Sequence, residues 1–201
     1  MLKRGFDIAF SVVVLLLLAP LLLAVALWVK LDSPGPVFFR QRRVGLRGRE
    51  FLIYKFRTMR INAEAVGPQI TIGTDPRITR SGEYLRKYKI DEFAQFFNVL
   101  IGDMSVVGPR PEVPRYVKYY PAEVKELVFS VRPGLTDWAS IQFKDENNLL
   151  NDSLNPEKTY IEKILPAKLD LYVKYIRHCS FLGDLKIIVY TLKALVKIRV
   201  C

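Results

Sequence analysis

Apolar positions follow three rhythms along this chain. The first is an apolar run from Ile8 to Val29, preceded by Lys3 and Arg4 and closed by Lys30. As a straight helix it reaches roughly 33 Å, enough to cross the hydrocarbon core of a bilayer. Pro20 lies near its middle, where it removes one backbone hydrogen bond and crowds the preceding turn. Basic residues flank both ends, with Arg40, Arg42 and Arg43 following Lys30, so the positive-inside rule assigns no orientation. A helix that breaks at Pro20 and returns would keep every cation on one face, and a kinked spanning helix is the alternative. No small-residue cleavage site follows, which separates the run from a signal peptide.

The second rhythm is a pair of strand-like stretches. After the turn-rich junction Asp32-Ser33-Pro34-Gly35-Pro36, Val37–Arg40 and Phe51–Phe56 read as two strands with Gly45–Gly48 as their hairpin. Lys55 and Arg57 alternate, so they are predicted to share one face and meet an anionic group together. Arg42, Arg43, Arg47 and Arg49 are predicted to meet lipid headgroups from the hairpin loop. Arg60–Pro76 is polar and interrupted by Gly67, Pro68 and Gly73, which predicts a loop.

The third rhythm is helical. Phe93, Phe96, Phe97 and Leu100 predict a short helix that Gly102 closes as a left-handed cap. Pro114, Pro121, Pro156 and Pro166 each fit a first helical turn. Leu169, Tyr172, Val173 and Ile176 form one apolar face. From Ser180 to Arg199 an amphipathic helix carries Lys186, Lys193 and Lys197 on one flank, and both a core helix and an interfacial helix fit that pattern. The expected architecture is α/β and α-rich: a membrane helix over 1–30 and a membrane-associated domain over 31–201.

A net charge of +11 calls for an anionic partner. The 50% hydrophobic content turns that expectation toward lipid surfaces or phosphorylated substrates. No zinc-finger spacing or RNA-recognition motif supports nucleic acid, so none is expected as a partner. Cys179 and Cys201 form no metal or redox motif, and the sole histidine, His178, leaves no basis for a serine or cysteine triad. Carboxylates, arginines and lysines remain to carry chemistry.

Asp91-Glu92 opens the Phe93–Leu100 helix, where free N–H groups and the helix dipole favour negative charge. An aspartate held there is expected to stay ionised at neutral pH, which suits a nucleophile or a metal ligand. Gly108-Pro109-Arg110-Pro111 fixes the backbone between two prolines and presents Arg110 from a rigid platform. Carboxylate and guanidinium together point to phosphate chemistry with a divalent metal.

The order of motifs is more specific than any of them singly. Asp91-Glu92, Gln95, Asn98-Val99-Leu100, Gly102-Asp103-Met104-Ser105 and Val107-Gly108-Pro109-Arg110-Pro111 resemble the core signature of the monotopic phosphoglycosyl transferases, the bacterial sugar transferase family. The resemblance extends upstream through Asp32–Gln41, Tyr54–Met59 and Asp75–Thr79, and downstream through Arg132-Pro133-Gly134-Leu135-Thr136. It implies a re-entrant helix hinged at Pro20, at the cytoplasmic face of a bacterial inner membrane. It implies transfer of a phosphosugar from a UDP-sugar to polyprenyl (undecaprenyl) phosphate, with release of UMP. The product would be the first membrane intermediate of a surface glycan.

In the implied mechanism Asp91 forms a phosphosugar-aspartate, Mg²⁺ is the cofactor, and Glu92 serves the metal or proton handling. Arg86 and Arg110, with Lys55, Arg57, Arg77 and Arg132, would hold phosphate oxygens. Five departures from the family pattern stand out: Ala19 for serine, Lys89 for a capping Ser or Thr, Ala94 for proline, Asp137 for glycine and Ser140 for glutamine. The acidic, asparagine-rich stretch from Phe143 to Asn155 also departs, and contacts that choose the sugar would lie there. A non-catalytic membrane adaptor would explain the anchor and a nucleic-acid-binding module the charge, but neither requires Asp91 beside Arg110.

Overall fold

The computed structural model describes residues 2–61, 63, 75–151 and 153–197. The loop landmarks Gly67, Pro68 and Gly73 and the end of the last helix at Arg199 lie outside these. Helix α1 (Leu2–Asp32) takes in the whole apolar run, and helical assignment passes through Pro20. The lost N–H of Pro20 therefore removes one hydrogen bond without the break expected at Ala19-Pro20. Among the described residues α1 is the one helix long and apolar enough to cross a membrane. Leu16, Leu17 and Leu23 in its middle are 70%, 75% and 72% exposed.

Both ends of α1 are fastened to the rest of the domain, each on its own hydrophobic cluster. Near its start, Lys3 donates to the Val107 carbonyl at 2.9 Å and ion-pairs with Asp184. Arg4 donates to the carbonyls of Val99 and Leu100 at 2.6 and 2.9 Å. Buried Asp7 accepts from the Ser105 hydroxyl and the Val106 N–H at 2.8 and 3.0 Å. Near its end, Val25 and Val29 pack with Phe56, Leu85 and Ala94. Asp32 accepts from the Ser81 N–H at 2.9 Å, and that bond holds its carboxyl below the usual range.

Strands β1 (Phe38–Val44) and β2 (Glu50–Phe56) form the expected hairpin, antiparallel from Phe38↔Phe56 to Val44↔Glu50. Its turn runs through Leu46–Gly48, where Gly48 takes φ +72. Helix α2 (Arg80–Lys87) is capped by the Thr79 hydroxyl, which accepts from the Gly82 N–H at 3.0 Å. A 3₁₀ turn over Ile90–Ala94 leads into α3 (Gln95–Ile101), which ends at Gly102 in the left-handed conformation, as the sequence predicts.

A second sheet was not expected. Strands β3 (Ser105–Val107) and β4 (Gly134–Thr136) pair in parallel. Just past β3 the backbones at Gly108 and Gly134 approach so closely that a Cβ on Gly134 would lie 2.1 Å from the Gly108 nitrogen. Only glycine fits there, and that contact seats Pro109-Arg110-Pro111.

Helices α4 (Pro114–Val117) and α5 (Ala122–Val128) begin at their prolines, and α6 (Trp138–Gln142) and α7 (Glu146–Asn151) follow β4. Helix α8 (Pro156–Thr159) starts at the cap Asn155, then continues through a π-helical turn at Tyr160–Ile164 into α9 (Leu165–Arg177). Pro166 therefore lies in the first turn of α9 but does not begin a separate helix. One core gathers Val113, Tyr116, Leu165, Leu169 and Tyr172; another joins Ile53, Phe96, Val99, Met104, Val107 and Ile187. Helix α10 (Phe181–Lys197) buries Asp184 and Ile187 while leaving Leu182, Val189 and Leu192 exposed, so it is a core helix along one flank only.

Candidate active site

The chain reaches Asp91 through an unusual backbone. Lys89, standing where Ser or Thr would cap a helix, takes φ +56 and makes no side-chain cap. The following turn is 3₁₀, so Asp91 and Glu92 are about 120° apart around its axis and meet different surroundings. Asp91 is 7% exposed, and its Oδ1 is buried with no hydrogen-bond partner among the described residues.

Burial pushes the Asp91 carboxyl upward, against the opposing pull of Lys55, Lys89 and Arg86. The direction is opposite to the one that a helix terminus alone would give. The 3₁₀ turn supplies no long aligned dipole, and desolvation outweighs the surrounding cations.

Glu92 is held in the opposite sense. Its Oε1 accepts from Lys55 Nζ at 2.9 Å and from Arg110 Nη2, and its Oε2 accepts from Arg110 Nη1 at 3.2 Å. Arg110 therefore grips both oxygens of one carboxylate. Although burial opposes it, the two cations hold the Glu92 carboxyl well below its ordinary range, and Glu92 in turn raises the Arg110 guanidinium. Burial lowers the Lys55 ammonium.

The platform under Arg110 is equally specific. Its backbone N–H donates to Asp137 Oδ2 at 2.8 Å, while Asp137 Oδ1 caps α6 by accepting from the Ser140 N–H. Asp137 is buried, which pushes its carboxyl upward. The aspartate standing where the family has glycine therefore ties two walls of the site together.

These groups border a cavity of about 380 Å³, lined by Arg43, Lys55, Arg86, Lys89, Asp91, Glu92 and Arg110 on its charged side. Arg43 corrects another expectation. It does not reach toward lipid from the loop; its guanidinium donates to the Pro111 carbonyl at 3.0 Å and lies 3.7 Å from Glu112. The N–H of Val44 donates to the Glu112 carbonyl at 2.9 Å and draws the hairpin against this segment.

The family profile of the bacterial sugar transferases matches residues 1–198. This chain belongs to the bacterial sugar transferase family. It is 49% identical over 141 residues to the UDP-N-acetylgalactosamine-undecaprenyl-phosphate N-acetylgalactosaminephosphotransferase of Aeromonas hydrophila, covering 69% of this chain and 33% of that protein. It is 43% identical over 190 residues to the UDP-glucose:undecaprenyl-phosphate glucose-1-phosphate transferase of Xanthomonas campestris, covering 92% of this chain and 37% of that relative. A protein of the same name from Caulobacter vibrioides is 39% identical over 197 residues, covering 96% of this chain and 69% of the relative. The chain thus spans about a third of the length of the Aeromonas and Xanthomonas proteins.

Within this family member the remaining basic residues divide. Arg86 borders the cavity, where burial lowers its guanidinium and Asp91 and Asp75 oppose the shift. Arg57, expected beside Lys55, instead donates to the carbonyls of Val29, Ser33 and Pro34 at 3.1, 2.7 and 2.5 Å and closes the end of α1. Strand β2 ends at Phe56, so the alternation that joined the two residues stops one position short. Arg77 forks onto Asp75 and also donates to the Ala63 carbonyl at 2.7 Å. Arg132 donates to the Gly102 carbonyl at 2.9 Å at the end of α3. These three lie outside the lining of the cavity.

Sequence reasoning missed Arg43, Glu112, Tyr160 and Lys168. For Arg43 a signal existed: cross-strand register places Phe39 opposite Lys55 and Arg43 two alternations further along β1, so Arg43 and Lys55 share a face.

Proposed function

We propose that this chain transfers a sugar 1-phosphate from a UDP-sugar to polyprenyl phosphate, releasing UMP, at the cytoplasmic face of a bacterial inner membrane. The observation that carries the reading is the contrast within one dipeptide. Glu92 has both oxygens engaged by Lys55 and Arg110, whereas Asp91, which lines the same cation-rich cavity, has no such ion pair, and its shielded Oδ1 finds no hydrogen-bond partner among the described residues.

A carboxylate so poorly solvated and free of a competing ion pair suits a nucleophile toward phosphorus. Asp91 attacks the sugar-linked phosphorus, the bond to the bridging oxygen of UMP breaks, and UMP departs. An oxygen of polyprenyl phosphate then attacks the same phosphorus, and the Asp91 carboxylate is regenerated as polyprenyl-diphospho-sugar forms. Arg110, Lys55 and Arg86 balance the phosphate charge in both steps.

The donor set fits magnesium beside Asp91 alone, because Glu92 is occupied by its two cations and no three acidic, histidine or cysteine side chains converge among the described residues. An ion sharing one protein carboxylate with substrate phosphates is common for Mg²⁺, and it would neutralise the diphosphate and ease UMP departure. Glu92 is then a positioning group for Arg110 and Lys55.

The membrane mode follows from α1. A straight helix of 31 residues is about 46 Å long, more than the hydrocarbon core requires. Its start is fastened through Lys3, Arg4 and Asp7, and its end through Val29, Asp32 and Arg57, to one domain. Both ends therefore stay on the domain's side of a bilayer, which supports a helix that enters and returns. The exposed leucines on either side of Pro20 then lie in lipid.

Labelled UDP-sugars incubated with the protein, Mg²⁺ and undecaprenyl phosphate test the activity. At least one label should move into organic solvent with release of UMP. Failure of every common UDP-hexose and UDP-N-acetylhexosamine to label the lipid would overturn the assignment.

A further inference from the structure

The cavity has a second wall that the transfer reaction leaves unused. Opposite the charged side stand Ser140, Phe143, Glu146, Tyr160, Lys168 and Tyr172. The Ser140 hydroxyl is buried next to the Asp137 carboxylate, which it influences, but makes no hydrogen bond of good geometry among the described residues. Lys168, itself 7% exposed, ion-pairs with Glu146 and lies 5.1 Å from the centre of the Tyr160 ring. A buried hydroxyl without a partner costs stability, and a largely buried ion pair seldom stabilises more than apolar packing would. Three such groups around one cavity suit a ligand that completes their bonding.

We propose that Ser140, Glu146 and Lys168 read the hydroxyl and acetamido groups of the donor's hexose. The inference rests on the transfer reading above and assigns the sugar-selecting side of the same site. Three observations favour the hexose over the nucleotide. Lys168 is neutralised by Glu146, and Lys144 on the same wall lies 3.8 Å from Asp145, so the wall offers donors and acceptors whose charges are paired, as an uncharged ring requires. The backbone N–H groups of Ser140 and Arg110 are joined through the two oxygens of Asp137, which places residue 140 near the backbone of the arginine assigned to the transferred phosphate. Glu112, two residues beyond Arg110, accepts from the Tyr160 hydroxyl, and Tyr160 in turn meets Lys168. The wall therefore adjoins the phosphate position without interruption. The hexose is bonded directly to the phosphorus that Asp91 attacks, whereas the uracil is separated from it by a second phosphate and a ribose.

Calorimetric titration of the whole chain in nanodiscs with UDP, UDP-glucose, UDP-galactose, UDP-N-acetylglucosamine and UDP-N-acetylgalactosamine tests this. Ser140→Ala should reduce the ratio of Kd values between the best- and worst-bound sugar by about tenfold, the value of one hydrogen bond lost to a buried group. Its affinity for UDP, which lacks the hexose, should stay within about twofold. Glu146→Gln, a near-isosteric change, should alter the same ratio. Unchanged ratios in both variants, or an equal loss for UDP and every UDP-sugar, would overturn the proposal. If no sugar phosphate reaches lipid while Ser140→Ala still narrows the discrimination, the transfer reading falls and this one stands. If transfer proceeds with discrimination unmoved, the reverse holds.

Discussion

Adjacent carboxylates with opposite environments should have opposite effects on stability. Glu92→Gln removes the charge that neutralises Lys55 and Arg110 while preserving shape. Each cation interacts with Glu92 by about 4 kcal/mol at an effective dielectric of 20. Breaking a fully buried ion pair costs about 3–5 kcal/mol. Here the side chains of Glu92, Lys55 and Arg110 retain 17%, 19% and 30% exposure, so water recovers part of that loss. A net cost of about 2–3 kcal/mol follows, equivalent to a fall of about 5–10 °C in Tm for a chain of this length.

Asp91→Asn should behave differently. Burial raises the Asp91 carboxyl in the fold, so its contribution is present below the unfolded pKa and lost as pH rises through the folded one. At pH 7 the substitution removes a desolvated charge, and Tm should hold or rise. The Glu92 carboxyl is lowered in the fold, so its contribution is present above the unfolded pKa, about 4.3, and is lost as pH falls through the folded one. Thermal unfolding in detergent at pH 7, followed by tryptophan fluorescence, separates the two. A fall in Tm for Asp91→Asn as large as that for Glu92→Gln would refute this electrostatic account.

Other substitutions probe the remaining parts. Arg110→Lys retains a cation but loses the fork onto Glu92, so turnover should drop by two orders of magnitude or more with the fold intact; a fully active lysine variant would show that charge alone suffices. Arg57→Met should lower stability by about 2–4 kcal/mol through the carbonyls it abandons at the end of α1, while folded protein keeps its turnover; lost turnover with unchanged Tm would place Arg57 on the substrate. For topology, cysteines introduced at Leu2 and Ser33 should both react with an impermeant reagent only from the cytoplasmic side, and Pro20→Leu should move part of the population to opposite-side labelling. Opposite-side labelling of the parent would establish a spanning helix.

The elements legible in sequence were those with local causes. The hairpin followed from apolar runs around Gly45–Gly48, and the end of α3 from Gly102. The β3–β4 pair was hidden because each strand has three residues and the partners lie 29 positions apart, from Ser105 to Gly134. Its trace in the sequence was a pair of glycines, Gly108 and Gly134, that belong to two separate motifs. At the site, residue types were legible but partnerships were not. Asp91, Glu92, Lys55, Arg86 and Arg110 do border one cavity, yet the charge balance of Asp91 depends on burial, which no motif encodes. Arg57 shows the limit of periodicity: one residue past the end of a strand, its side chain serves the membrane helix. Likewise Lys3 and Arg4, read as flanking charges, bind carbonyls of the core.

The central claim is that Asp91 carries the transferred phosphosugar. Incubation with a UDP-sugar labelled in the sugar-linked phosphate, without polyprenyl phosphate, should leave label on acid-quenched protein. Proteolysis should place that label on the peptide containing Asp91, polyprenyl phosphate should discharge it, and Asp91→Asn should abolish it. Label on Glu92, or full turnover by Asp91→Asn, would contradict the account.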